Sequence, residues 1–71
     1  MSEPMVTIPV RLAMRMAKHV NSAAELFFKE GQPEFASMMN MVNETVEAIA
    51  AQCDMQDIRV AAVALELEEK S

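Results

Sequence analysis

Eight methionines, His19 and Cys53 are the residues of this 71-residue chain whose types could most readily do chemistry. Met14 and Met16, the Met38-Met39-x-Met41 cluster, His19 and Cys53 are soft ligands of the sort copper(I) accepts. Their spacing argues against chelation. Residues two apart on a helix do not share a face, so Met14 and Met16, or Met39 and Met41, cannot close on one ion. Methionine in an apolar stripe is ordinary adaptable packing, and it is common on surfaces that accept varied partners. His19 has no second histidine four residues away and no serine or cysteine at catalytic spacing. It reads as a solvated or boundary side chain, since acid–base work needs a positioned partner and a cleft. Cys53 has no CxxC companion or adjacent base and reads as a small hydrophobe. Glu66, Glu68 and Glu69 lack the glycine-centred loop of alternating oxygen ligands that calcium requires. No catalytic residue, metal site or cofactor is expected.

The elements that carry these residues follow from periodicity. Residues 1–8 read as an extended lead-in, because Pro4 and Pro9 lack amide donors and bias their predecessors away from the helix. A first helix is expected over 9–30, opened by Pro9 and stopped at Gly31, the single glycine. At 100° per residue, Arg11, Arg15, Lys18, Ser22, Glu25 and Lys29 share one sector. Val10, Ala13, Met14, Met16, Ala17, Val20, Ala23, Ala24, Phe27 and Phe28 fill an arc of roughly 200°, about twice the need of a one-sided helix. Such a helix expects neighbours on two sides.

A second helix is expected over 34–53, with Pro33 and Glu34 at its start. Phe35, Met38, Met39, Val42, Val46, Ile49, Ala50 and Cys53 form its apolar stripe, opposite Ser37, Asn40, Asn43, Glu44 and Glu47. The short Gly31-Gln32-Pro33 connection predicts an antiparallel hairpin. Asp54 is placed to cap a third helix over 55–70. Its apolar residues split into two opposed stripes, Met55, Ile58, Ala62 and Leu65 against Val60, Val63 and Leu67. A strand over 58–67 is the alternative.

Composition bounds the function. Hydrophobic residues make up 52% of the chain, too many for disorder, and one cysteine forbids an internal disulfide. A chain of this length is close to the smallest that can hold a core alone, so oligomerisation or a partner is expected to support it. The net charge of −5 opposes general binding to a phosphate backbone. Residues 1–30 carry four bases and three acids, net +1, and residues 31–71 carry two bases and eight acids, net −6. The basic stripe Arg11, Arg15, Lys18 and Lys29 is a solvated face or a dock for an acidic helix, such as another copy's Glu-rich tail. No run of apolar residues is long enough for a signal segment or a bilayer span, so a cytoplasmic location is expected.

Met5-Val6-Thr7-Ile8-Pro9-Val10-Arg11-Leu12, ahead of a helical pair, resembles the start of ribbon-helix-helix repressors. In that family an antiparallel ribbon, one strand per subunit, reads the major groove. The resemblance implies a dimeric DNA-binding repressor with Thr7, Pro9 and Arg11 facing the bases. Two departures stand against it: Pro9 removes a ribbon hydrogen-bond donor, and the first helix is longer than that family's.

The fold class expected is all-α, an antiparallel hairpin plus a third helix, assembled as a homodimeric four-helix-type bundle. The expected role is a non-enzymatic adaptor, inhibitor or regulator that meets a second copy or another protein. Its contact surface would comprise Met16, Val20, Ala23, Phe27, Phe28, Phe35, Met38, Met39, Val42, Val46 and Ile49.

Overall fold

Each break between helices in this computed structural model, which describes residues 2–70, can be traced to particular residues. The first helix, α1, spans Val10–Lys29. Pro9 sits just outside it rather than in its first turn: its ψ of 142° is extended, while its carbonyl already accepts the Ala13 amide at 3.1 Å. At the other end, Gly31 adopts a φ of 69°, the left-handed conformation that only glycine takes at little cost. The Gly31 amide donates to the Phe28 carbonyl at 3.1 Å and the Gln32 amide to that of Phe27 at 2.9 Å. That pair of bonds is a Schellman motif, which satisfies carbonyls the helix would otherwise leave bare.

The second helix, α2, spans Glu34–Gln52, preceded by Pro33 with φ −66° and ψ −20°. It ends one residue short of the expected bound. Cys53 is extended, at φ −126° and ψ 147°, although its amide still donates to the Ile49 carbonyl at 2.9 Å. The third helix, α3, spans Met55–Lys70. Residues 58–67 are therefore helical, and no strand occurs among the described residues. The reason is local. The Asp54 carboxylate accepts the Asp57 amide at 2.9 Å, and the Asp57 carboxylate accepts the Asp54 amide at 3.3 Å. This reciprocal box fixes the helix start with only Cys53 and Asp54 between it and the end of α2.

Within the fold α1 is the hub. It packs against α2 along one flank and against α3 along another, whereas α3 rests chiefly on α1. The broad apolar arc of α1 thus has the two neighbours its width demanded. Near the turn the rings of Phe28 and Phe35 lie 4.9 Å apart at a 50° tilt. The interior is slight: only Ala24, Ala61 and Leu65 are buried among the described residues, and no large side chain is fully enclosed. The molecule measures 42 × 37 × 18 Å with a radius of gyration of 13.8 Å. A compact chain of this length would have a radius of about 11 Å.

The Gly31 turn yields the first prediction. A Cβ there meets no atom within 4 Å, so Gly31→Ala costs only the backbone penalty of the left-handed conformation. Chemical denaturation should show a loss of about 1 kcal/mol with the helical signal intact. An unchanged midpoint would mean the turn is not held in this geometry.

Candidate interaction surface

The eleven residues expected to form a contact surface divide by depth. Met16, Phe28 and Val46 are exposed, at 55%, 65% and 53%. Val20, Ala23, Phe27, Phe35, Met38, Met39, Val42 and Ile49 are half-buried, and none of the eleven is enclosed. The helices use this stripe partly for their own packing and leave the rest in water. Val10 and Ala13 at the start of α1 share an open-sided cleft of about 540 Å³ with Ile49 and Cys53 near the end of α2. A second cleft, of about 190 Å³, is walled by Met14, Val46, Ile49, Ala50 and Ile58, all of them apolar. Ile49 borders both.

Large apolar side chains elsewhere are just as open. Met5 and Val6 on the lead-in are 79% and 86% exposed, and Leu26 near the end of α1 is 62% exposed. On α3 the stripe Met55, Ile58, Ala62 and Leu65 divides: Leu65 is buried and Ile58 half-buried, whereas Ala62 is exposed and Met55 is 64% exposed. The opposed stripe, Val60, Val63 and Leu67, faces outward at 59%, 56% and 64% exposure. The contact surface read from the sequence omitted this row. Its signal was present in the two opposed stripes of residues 55–67, since a small fold can cover only one.

Charge seals the join between α1 and α3. Arg11 and Arg15 both donate to the Glu68 carboxylate, and Lys18 donates to that of Glu69. Arg11, Arg15 and Lys18 of the basic stripe are therefore docked against the acidic tail of their own chain. All these side chains keep a third or more of their surface in water, so the network gives register rather than much stability. Arg11 is thereby engaged within α1, not projected from a ribbon, and residues 2–9 lie exposed without secondary structure.

Of the residues singled out for chemistry, Met41 and Cys53 line the larger cleft, while His19, Met14, Met16, Met38 and Met39 do not border it. His19 is exposed on α1, while Cys53 is half-buried and free at the α2–α3 break. Met14, Met38 and Met39 are half-buried in the packing, and Met16 and Met41 are exposed. Among the described residues no helix is long and apolar enough to cross a membrane. No protein-family model matches the chain, and no curated protein or solved structure is significantly similar to it.

The Glu68 junction is pH-sensitive. Desolvation, the largest single influence, pushes the Glu68 carboxyl up, but the hydrogen bonds and positive charges of Arg11 and Arg15 together outweigh it, so the pKa lies below its ordinary value. The fold thus favours the ionised form. That contribution is full above the unfolded value of about 4.3 and is lost as pH falls through the lowered folded value. Thermal melts from about pH 6 down to about pH 2 should show the wild type losing more stability on acidification than Glu68→Gln. Equal acid sensitivity in the two would mean the junction does not form in solution.

Proposed function

We propose that this chain is a non-enzymatic protein–protein interaction module, an adaptor, inhibitor or regulator, that works as a homodimer in the cytoplasm. One observation carries the proposal: the single chain leaves more surface open than a compact fold of its mass, large apolar side chains included. It exposes 5821 Å², whereas a folded monomer of its 7.9 kDa mass exposes about 4,400 Å². The excess, about 1,400 Å², exceeds the roughly 800 Å² per partner of a standard interface. Of the twelve large hydrophobic residues that stand exposed among the described residues, three lie on the lead-in and nine on the helices, so the lead-in alone does not account for it.

The arrangement proposed is an antiparallel α1–α2 hairpin with α3 folded back on α1, two copies closing a bundle of four-helix type. The ring contact of Phe28 with Phe35, and the cleft that Val10 and Ala13 share with Ile49 and Cys53, support that hairpin. The Met/Phe-rich side, with Met16, Phe28 and Val46 outermost, would receive a partner by helix packing, where methionine adapts to varied shapes. The repressor alternative draws less support, since the net charge is −5 and Arg11 is held by Glu68.

Sedimentation equilibrium at micromolar concentration should give twice the 7.9 kDa chain mass. A partner captured by the wild type should be lost from a Phe28→Glu/Val46→Glu variant whose helical signal is unchanged. A well-folded monomer whose capture profile is indifferent to those substitutions would overturn the proposal.

A further inference from the structure

We infer that the second copy docks on α3, through the outward row Val60, Val63 and Leu67 of each chain packed antiparallel across a two-fold axis. This rests on the homodimer proposed above and locates its seam away from the α1–α2 pair. That frees Met16, Phe28 and Val46 for a different protein.

Burial comes first. Most of the Met/Phe stripe is already half-buried within the chain, whereas the α3 row is 56–64% exposed along its whole length. Val60 and Leu67 are one heptad apart with Val63 between them, the spacing of an a/d seam on a helix. The side of α3 that carries Ile58, Ala61 and Leu65 is committed to the fold, so this row is not needed for packing on α1.

Charge then selects both the occupant and its direction. Arg59 and Glu66 immediately precede Val60 and Leu67 and so flank the row on one side. Neither has an ion-pair partner among the described residues. Antiparallel helices bring such equivalent flanking positions together across the seam. Arg59 of each copy then meets Glu66 of the other, and the two-fold axis makes that pair twice. A parallel alignment sets Arg59 against Ala64 and forms no such pair. On the remaining flank lie Asp57 and Ala64, which leave room for close approach without repeating an acid against an acid. The row is therefore complementary to itself, in the sense a two-fold seam requires.

Sedimentation equilibrium of the full chain tests this with five proteins: wild type, Arg59→Glu, Arg59→Glu/Glu66→Arg, Val63→Glu and Val46→Glu. The wild type and Val46→Glu should be dimers, and Val63→Glu a monomer with unchanged helical signal. At low salt Arg59→Glu should raise the dimer dissociation constant by about fivefold, from two lost pairs of roughly half a kcal/mol each. The double variant, which exchanges the charges, should restore it. A dimer that ignores the Arg59 and Val63 changes but dissociates with Val46→Glu overturns the α3 seam and leaves the homodimer standing. A wild type that stays monomeric at high micromolar concentration overturns both. Should Val63→Glu fail to fold, the exposed charge exchange still decides.

Discussion

The surface-to-volume constraint governs this structure. Three short helices from a 71-residue chain enclose little space, and the described residues bury only two alanines and one leucine well. Burial of a large aliphatic side chain is worth about 1.5 to 3 kcal/mol, whereas an alanine methyl contributes roughly 0.8. A core weighted toward alanine therefore gains little per residue ordered. The dominant favourable term of folding is left partly unrealised in one copy, and the association proposed above would complete it.

Alanine has a second effect, which explains where the apolar surface ends up. Ala24 is wholly inaccessible and Ala61 nearly so, and the deepest points of the packing are thus held mainly by small side chains. Small side chains at the deepest points leave bulkier residues at the margins. Met16, Leu26 and Phe28 on α1, Met41 and Val46 on α2, and Val60, Val63 and Leu67 on α3 all lie there, exposed. The outline is flat, 18 Å in its thinnest dimension.

Much of this architecture was legible in the sequence because its signals are local. Gly31, Pro33 and Asp54 act within a turn of their own position, and they mark the helix ends to within a residue. The width of the α1 arc correctly called for neighbours on two flanks, since periodicity reports directly on how many sides a helix covers. What the sequence left open depends on pairing across the chain. That the basic stripe meets Glu68 and Glu69 of the same molecule, fifty or more residues away, follows from how α3 folds back, and no periodicity encodes that. The choice between helix and strand at 58–67 was ambiguous for a related reason. A segment apolar on two opposed sides matches a buried strand as well as a helix seated between two surfaces, and the reciprocal Asp54–Asp57 cap settles it locally.

The ionic junction and the apolar rows play different parts in consequence. Arg11, Arg15 and Lys18 hold the end of α3 against α1 at the solvent edge, where paired charges add little stability but do constrain orientation. By fixing which side of α3 faces α1, the same contacts fix which side faces away. The inward side carries Leu65 and the paired Glu68. The outward side is left with valines and a leucine flanked by Arg59 and Glu66. Non-directional burial alone would let α3 roll about its axis and blur that distinction. Charge placement at one end of the helix thus presents a defined apolar row to solvent, and a row of fixed composition and direction can select a partner where a merely greasy surface would aggregate.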